Sequence, residues 1–517
     1  MAHYKYDRLS AQDNDFLSWE TPNMPMHAGA TQIFAAGDLA TPEGGVDFAT
    51  IKRGIEGILH KIPRYRQKLA WIPGTQRAVW VDDAQFNPAY HIRHTALPRP
   101  GTDEQLKQLA ARIMERPMDR ARPLWEIWVV EGLQGGRFAT IGKTHHCVVD
   151  GMAGVDIAQN LYAMSPEYRI EEPRRYLPRP HPTDAELLQD ERWRWATLPA
   201  RTAFDLARFW QRTDNVPGEI LGRVRGLGQL AWNKIVPASD TPLNGPVGPH
   251  RLVDWDRYAL ADFKALRHAL KCSVNDVVLA IVTGAVREFL LQRQVHPEQL
   301  EFRVAAPVNV RGKEQAGRGG NRVSSWIVAL PIGEADPAKQ VGAICHATQA
   351  MKESRQADAI ELVEALHEWL PIDIQALSRG TQNMFVTNVP GPQFPLYLLG
   401  AELLDIYLQA PLIDNLGLVI GVISYNGGVC WGFNADYDRV PDLAEFVRMT
   451  RRAVERLADA AGVRLGGGVA VDVGTVPAPD AAAPLSPSPT RGGRRPGART
   501  AGHNGNGRRP GAPGSQH

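Results

Sequence analysis

The amino-acid sequence predicts an α/β fold built from two domains of ordinary size. The chain has 517 residues, whereas a single hydrophobic core stops growing at about 250 to 300 residues. Hydrophobic residues make up 44% of the chain and charged residues 22%, a composition typical of globular proteins that bury sizeable cores. Runs with the spacing of strands alternate with runs that have the spacing of helices over most of the chain.

The first domain is predicted over residues 1–170. Its early helix covers residues 49–62, where four isoleucines share one face: Ile51, Ile55, Ile58 and Ile62. Residues 138–144, FATIGKT, have the character of a short strand, and residues 154–164, GVDIAQNLYAM, have helical spacing. The segment between them, HHCVVDG at 145–151, is therefore expected in a turn from a strand to a helix.

A connector is predicted over residues 171–249, where proline and arginine become frequent. We expect one or two amphipathic helices here, since Phe204, Ala207 and Trp210 recur at helical spacing. Tryptophan and arginine residues suited to a membrane headgroup region lie in this connector: Trp193, Trp195, Trp210, Trp232, Arg192, Arg194, Arg201, Arg208 and Arg212. The alternative is that the helix packs its apolar side on one of the two domains.

The second domain is predicted over residues 250–465. It has a strong helix from about Asn275 and a last helix at 443–460, with strand-like runs at 302–310, 322–331, 384–390 and 429–437. The tail, 466–517, is rich in Gly, Pro, Ala, Ser and Arg, and is expected to be disordered because it has too few large apolar residues to offset its ordering entropy.

Charge and cysteine usage exclude several classes of protein. The formal net charge is +2, which gives no overall reason to expect a nucleic-acid partner. The four cysteines are far apart and lack zinc-finger spacing, which predicts no metal site and suits a reducing cytoplasm. The longest apolar stretches fall far below the roughly 20 residues that span a bilayer. Any membrane association is therefore expected to be peripheral.

The HHCVVDG segment carries the candidate chemistry. Successive strand residues point to opposite faces, so His145 and His146 are expected to face different surroundings. A neutral imidazole suits a general base at cellular pH. Asp150 could hold the turn through an ion pair, and Gly151 permits the backbone to bend. A bare histidine pair is more often structural, but the added Asp-Gly after a strand favours function, and Cys147 is interpreted as a packed thiol.

At these residues the chain resembles a known family. HHCVVDG is similar to the His-His-x-x-x-Asp-Gly motif of the CoA-dependent acyltransferase superfamily, which includes chloramphenicol acetyltransferase and peptide-synthetase condensation domains. Further segments resemble bacterial wax ester synthase/diacylglycerol acyltransferases: LSAQDNDFLSWETPNMPMHAG at 9–29, PLWE at 123–126, ND at 275–276, PVNVR at 307–311 and TNVPGP at 387–392. The resemblance covers about residues 8–462, in the order of the family.

The resemblance implies two chloramphenicol-acetyltransferase-like α/β domains, with mixed sheets flanked by helices, joined by the long helical connector. It implies transfer of a fatty acyl group from acyl-CoA to a long-chain alcohol, a diacylglycerol or both. Acyl-CoA is then a substrate, and no cofactor is expected. The implied location is cytoplasmic, peripheral to the inner membrane or lipid droplets, whereas the oligomeric state is not predicted.

The resemblance also implies roles for the motif residues. His146 is the general base that takes the proton of the acceptor hydroxyl, and His145 orients it. Asp150 is mainly structural, through a salt bridge to an arginine, beside Gly151 at the bend. Asn275 is the candidate hydrogen-bond donor to the tetrahedral oxyanion.

Five further residues are candidates for substrate binding: Leu124, Trp125, Asp276, Asn388 and Pro390. Each has a structural alternative. The ND pair fits a helix N-cap and a first-turn acid, PLWE fits core packing, and TNVPGP fits a strand that ends in a Pro-Gly turn.

Two other functions stay open. A related CoA-dependent or carrier-dependent transferase would acylate a polyketide or an amine, although no carrier-protein domain is visible in the sequence. A lipid-surface binding protein without catalysis is the other alternative, and the intact His146, Asp150 and Gly151 argue against it.

Overall fold

A computed structural model of the chain describes residues 5–148, 160–212, 237–309, 323–354, 380–413 and 415–466. The strands in these ranges are β1 (Tyr6–Arg8), β2 (His27–Ala35), β3 (Gln67–Trp71), β4 (Ala78–Asp82), β5 (Ile92–Ala96), β6 (Trp125–Leu133), β7 (Arg137–His145), β8 (Asn244–Gly245), β9 (Arg251–Ala259), β10 (Phe302–Asn309), β11 (Val323–Leu330), β12 (Met384–Pro390), β13 (Tyr397–Leu398), β14 (Ala401–Gln409), β15 (Asn415–Leu416), β16 (Leu418–Tyr425) and β17 (Gly428–Asp436).

The helices in the same ranges are α1 (Ala11–Trp19), α2 (Phe48–Ile58), α3 (Pro88–His91), α4 (Asp103–Met114), α5 (Asp184–Arg212), α6 (Leu260–Leu270), α7 (Val274–Gln292), α8 (Pro337–Ser354) and α9 (Leu443–Ala461). The predicted early helix ends at Ile58, four residues sooner than expected. A 3-10 turn follows at Leu59–Lys61, and Pro63 disfavours helical geometry at the residue before it.

The first sheet contains the strand that ends at the histidine pair. Its strands lie in the order β13-β14-β2-β7-β6-β5. β2 pairs antiparallel with β7 in a register that sets His27 opposite His145, while β5 and β6 run parallel. The sheet is therefore mixed, and the first candidate residue lies at the end of a central strand.

The second sheet has the order β11-β10-β12-β16-β17-β9 and is also mixed, because β12 runs parallel to both of its neighbours. Helix α7 contributes many of the apolar side chains of its core, including Val277, Ile281 and Phe289 at 0% exposure. The helix begins at Val274, with Ser273 as its N-cap, and Asp276 completes a capping box. The start predicted at about Asn275 is thus correct to one residue.

One strand from late in the sequence, β14, joins the first sheet beside β2. It also packs against β16 and β17 of the second sheet. The approach is close enough to require glycine, since a Cβ atom at Gly432 would lie 2.1 Å from the carbonyl oxygen of Leu408. The rings of Trp255 and Tyr407 stack beside this contact with centroids 4.9 Å apart. The two sheets are therefore joined through β14.

Helix α5 is the amphipathic helix predicted in the connector. Its first half packs on the small sheet β1-β4-β3, where Leu187 is 1% exposed and clusters with Tyr6. Ion pairs reinforce this contact, with Arg8 Nη1 lying 2.5 Å from Glu191 Oε2. The helix also leaves Trp193, Trp195 and Phe204 exposed, so it packs on the first domain without covering all its aromatic side chains.

Several predicted features lie outside the described residues. These include residues 154–159 of the predicted helix, Asp150, Gly151, Trp232, the tail after residue 466 and the side chains of Trp210, Arg201, Arg208 and Arg212. The described end of that helix stops at Leu161, three residues before the predicted end, because Ala163 forms a β-bridge with Tyr397. Among the helices that the structure describes, no single one has the length and apolarity to cross a membrane. The pair α6 and α7, bent by 95°, reaches that length and composition only together. The domain boundaries at residues 170, 249 and 465 stay predictions.

Candidate active site

Strand β7 ends at His145, and the backbone holds both histidines in place. The His145 N–H donates to the carbonyl of Leu124 at 3.0 Å, and the His146 N–H donates to the carbonyl of Met26 at 2.8 Å. His145 is fully buried, whereas His146 follows in a turn and is half-buried. The two rings therefore have different surroundings.

The ring of His146 lies against Phe16 of α1, with centroids 4.2 Å apart and planes tilted by 33°. Its Nδ1 atom is buried and has no hydrogen-bond partner in the part of the chain that the structure describes. Burial, together with the nearby His145, lowers the pKa of His146 to about 4. The ring is consequently neutral at cellular pH and can accept a proton.

The ring of His145 is oriented by its own turn. The backbone N–H of Cys147 donates to His145 Nδ1 at 3.1 Å. A neutral ring that accepts at Nδ1 carries its proton on Nε2, and His145 Nε2 faces Glu20 Oε1 at 3.6 Å. His27 of β2 faces the same oxygen through its Nε2 at 3.5 Å. Two histidines on neighbouring strands thus share one carboxylate oxygen.

Glu20 follows the last residue of α1, and its side chain is 7% exposed. Its Oε2 accepts hydrogen bonds from Arg120 Nε at 2.9 Å and from Arg120 Nη2 at 2.7 Å. Burial disfavours the carboxylate, but the contacts with His145 and His27 outweigh it and hold the pKa of Glu20 well below its usual range. The group is therefore a buried anion in contact with a cation.

Lys143 is a second buried charge near the motif, at 2% exposure on β7. Its Nζ donates to the carbonyls of Ile113, at 2.8 Å, and of Arg116 at the end of α4. Burial lowers the pKa of Lys143 to about 8. This lysine joins the carboxyl end of a helix, where a cation is favourable, to the strand that carries His145.

Leu124 and Trp125, predicted as substrate contacts, are each 1% exposed. Trp125 Nε1 donates to the carbonyl of Tyr65 at 2.8 Å, and the two rings stack with centroids 4.3 Å apart. The structure gives these residues the packing role that the sequence left open as an alternative. Leu124 also contributes its carbonyl to His145, and recognition of the acyl group by either side chain stays a prediction.

Asn275 and Asp276 lie in the first turn of α7. Asp276 accepts from the backbone N–H of Ser273 at 2.8 Å and from the hydroxyl of Thr348 at 2.9 Å. These bonds cap the helix and join it to α8, so Asp276 is the first-turn acid that the structural alternative expects, whereas the N-cap is Ser273 and not Asn275. Asn275 is half-buried. Its role as an oxyanion donor stays a prediction.

Asn388 and Pro390 belong to β12, where they pair with Val422 and Ser424 of β16. Asn388 is half-buried and Pro390 is exposed. The strand ends at Pro390, as the Pro-Gly alternative expects. Contact of either residue with a substrate stays a prediction.

Sequence reasoning did not identify Glu20, His27, Arg120 or Lys143. Glu20 and His27 both lie in the segment 9–29 that carries the family resemblance, so that segment contained a signal. Arg120 carried no such signal, because it meets Glu20 only through folding across 100 positions. Within the described residues, no group of three or more His, Cys, Asp or Glu side chains could hold a metal ion.

Comparison with known sequences identifies the family. The profile of the wax ester synthase/diacylglycerol acyltransferase catalytic domain matches residues 9–278, which is more than half of the chain. The profile of the C-terminal domain of the same family matches residues 319–458. A Mycobacterium tuberculosis protein named for diacylglycerol O-acyltransferase activity is 31% identical over 463 residues, covering 84% of this chain and 87% of the relative. A Mycobacterium bovis protein of that name is 30% identical, with coverages of 87% and 96%.

Solved structures agree on the fold. The wax ester synthase/diacylglycerol acyltransferase of Marinobacter aquaeolei VT8 is similar, with a TM-score of 0.64 and 23% identity, over 88% of this chain and 100% of that chain. The first condensation domain of the calcium-dependent antibiotic synthetase has a TM-score of 0.56 and 14% identity, over 88% and 96% of the two chains. The predicted α/β fold with mixed sheets is confirmed, and the chain belongs to the wax ester synthase/diacylglycerol acyltransferase family.

Proposed function

We propose that this chain transfers a fatty acyl group from acyl-CoA to the hydroxyl of a long-chain alcohol or a diacylglycerol, with His146 as the general base. The observation that carries the proposal is the neutral, half-buried imidazole of His146, which is held at the end of β7 by the Met26 carbonyl and by the ring of Phe16. Burial lowers the pKa of His146 to about 4, which keeps the ring unprotonated before the reaction but makes it a weak base. The negative charge that develops on the substrate must therefore stabilise the imidazolium as it forms.

The proposed reaction is direct transfer. A ring nitrogen of His146 takes the hydroxyl proton as the oxygen attacks the thioester carbonyl carbon. The tetrahedral intermediate then collapses, its carbon–sulfur bond breaks, and the imidazolium returns the proton to the departing CoA thiolate. The products are an ester and free CoA. Asn275 is the proposed amide donor to the oxyanion, and acyl-CoA is consumed as a substrate.

The acceptor decides between this function and its alternatives. Purified full-length protein is incubated with palmitoyl-CoA and, in parallel, hexadecanol, a diacylglycerol or a long-chain amine, and each acylated product is quantified by chromatography. We expect ester from one or both hydroxyl acceptors. Amide as the main product would favour the alternative transferase, and lipid binding without any product would favour the non-catalytic alternative.

We also propose that the protein works in the cytoplasm at the surface of the inner membrane or of lipid droplets, where its acceptors partition. The support is the exposed side of α5, on which Trp193 is 63% and Trp195 45% exposed. Arg192 beside them is exposed as well. Tryptophan suits the headgroup region, and anionic lipids attract arginine.

Liposome flotation tests this location. The double variant Trp193→Ser/Trp195→Ser should float less with anionic liposomes than the wild type, and salt should weaken the binding of the wild type. The variant Tyr437→Ser is the matched control, because it removes a 52% exposed aromatic side chain elsewhere. Equal flotation of all three proteins would remove α5 as the docking element.

A further inference from the structure

Glu20 is a buried carboxylate that faces the ring of His145 and accepts a hydrogen bond from Met26, the backbone partner of His146. We propose that Glu20 is a positioning residue for acyl transfer, which fixes the ring of His145 and the backbone of His146. This inference rests on the proposed function, since it takes His146 as the base. It assigns to Glu20 no contact with the substrate.

The first contact is with the ring of His145. The Nδ1 atom of that ring accepts from the Cys147 N–H, so its Nε2 carries the proton and requires an acceptor. Glu20 Oε1 lies 3.6 Å away, slightly beyond hydrogen-bond distance, where the carboxylate attracts the Nε2–H dipole. The Cys147 N–H selects the tautomer of this fully buried ring, and the carboxylate favours the orientation that turns Nε2–H toward it.

The second contact leads to His146 itself. Glu20 Oε1 accepts from the backbone N–H of Met26 at 3.2 Å. The carbonyl of the same residue accepts from the backbone N–H of His146 at 2.8 Å. The Glu20 carboxylate thus fixes Met26, to whose carbonyl the backbone N–H of His146 donates. Glu20 also stands four positions after Phe16, whose ring packs on His146, so α1 supports the base at two points.

Arg120 fixes the carboxylate in turn. It donates to Glu20 Oε2 through Nε and Nη2, and it donates to the carbonyl of Leu17 at 2.7 Å. Three of the groups that face Glu20 are donors, namely the Arg120 guanidinium, the Met26 N–H and the His145 Nε2–H, and the fourth is Nε2 of His27. Only a carboxylate offers an acceptor to all three donors, because an amide has one oxygen and turns an NH₂ group toward a remaining donor.

The experiment compares Glu20→Gln with a second buried carboxylate that pairs with an arginine, on a strand of the other large sheet. Asp256, at 5% exposure, accepts from Arg451 Nε and Nη2 at 2.6 Å each and from the backbone N–H of Arg257 at 2.8 Å. Asp256→Asn therefore removes a similar charge with similar partners. Release of CoA thiol from palmitoyl-CoA with the preferred acceptor gives kcat and KM, and each rate is divided by the amount of folded protein.

We expect Glu20→Gln to lower kcat by about 10-fold to 10²-fold at nearly unchanged KM, the size of effect caused by a misplaced reacting group. Asp256→Asn should lower the melting temperature and leave kcat per folded molecule unchanged. Glu20→Asp retains the charge but withdraws both oxygens by one methylene, so its kcat should lie between that of Glu20→Gln and that of the wild type. Wild-type kcat in folded Glu20→Gln, or a higher kcat for Glu20→Gln than for Glu20→Asp, would overturn the proposal.

Two further measurements keep the outcome decisive. If Glu20→Gln does not fold, Glu20→Asp decides alone: a loss of about threefold or more in kcat supports positioning of the base, which is sensitive to sub-ångström displacement, and wild-type kcat overturns it. The wild type and His146→Ala are assayed in parallel. If the wild type is active, His146→Ala is impaired and Glu20→Gln is not, only this inference is removed. An inactive wild type would remove the proposed function.

Discussion

The core around α7 and the interior behind His145, which consists of His145, His27 and Glu20, are both buried. The first is apolar, whereas the second contains ionisable side chains. Along α7, Val277, Ile281 and Phe289 are 0% exposed, and their surroundings are apolar. Behind His145, the fully buried ring meets His27, at 1% exposure, and the Glu20 carboxylate. Apolar burial stabilises a fold, while a buried charge costs free energy unless its partners offset it.

The difference indicates which region stabilises the protein and which serves the reaction. Replacing a buried ion pair with apolar residues is often neutral or stabilising, so stability alone does not explain Glu20 and Arg120. A buried carboxylate departs from the apolar packing that is usual in a protein core, and such departures are expected at functional sites. Disruption of the first region should therefore reduce stability, and disruption of the second should reduce turnover.

The largest effect is expected at the base. His146→Ala should lower kcat by about 10² to 10⁴, the range for loss of general base catalysis. The melting temperature should change little, because this ring is half-buried and its Nδ1 has no hydrogen-bond partner among the described residues. Thiol release and thermal melting are measured on the same preparation. Near-wild-type turnover in a folded variant would exclude His146 as the base.

The opposite pattern is expected in the α7 core. Phe289 is fully buried and packs edge to face on Phe446 with centroids 5.6 Å apart. Phe289→Ala should therefore lower the free energy of unfolding by about 3 to 5 kcal/mol, the cost of a large cavity. Turnover per folded molecule should be unchanged. A large loss of kcat in the folded fraction would show that this core also shapes the site.

A smaller effect is expected from the pH dependence of the interior behind His145. Burial lowers the pKa of His27 to about 4, and Lys143 adds to that shift while Glu20 opposes it. Between this value and the usual 6.5 the unfolded chain binds a proton that the folded chain does not, so folding loses stability as the pH falls. The loss is about 2 to 3 kcal/mol by about pH 4.5, at 1.36 kcal/mol for each pH unit.

The variant His27→Gln removes this titration. Its free energy of unfolding in urea should therefore decline less than that of the wild type between about pH 7 and about pH 4.5. His250→Gln, which replaces a histidine with a 66% exposed side chain, is the control for the loss of a histidine. Parallel declines in wild type and His27→Gln would show that His27 is not held neutral by the fold.

The same comparison shows what the sequence could predict. Local patterns were sufficient for α7, β7 and β12, because hydrophobic spacing and turn residues act over neighbouring positions. They did not predict that β14 would join the first sheet, since a pairing across hundreds of residues leaves no local pattern. The histidine pair was identified by its motif. Glu20 and Arg120 were missed, because their function depends on contacts that folding creates.

The smallest effect is expected at Cys147, the thiol beside the base. It is 3% exposed, and its Sγ lies 2.9 Å from His145 Nδ1. Burial, with Asp13 and Glu20 nearby, raises the pKa of the Cys147 thiol well above its usual range. A thiol that stays protonated is a poor nucleophile, and the ring nitrogen also keeps the backbone N–H of Cys147 as a donor.

Cys147→Ala should therefore keep kcat within about threefold of the wild type, since only packing and a weak hydrogen bond are lost. The assay is thiol release with and without prior treatment with iodoacetamide. Loss of activity in Cys147→Ala comparable with that in His146→Ala would instead indicate an acyl-cysteine intermediate and end the case for direct transfer.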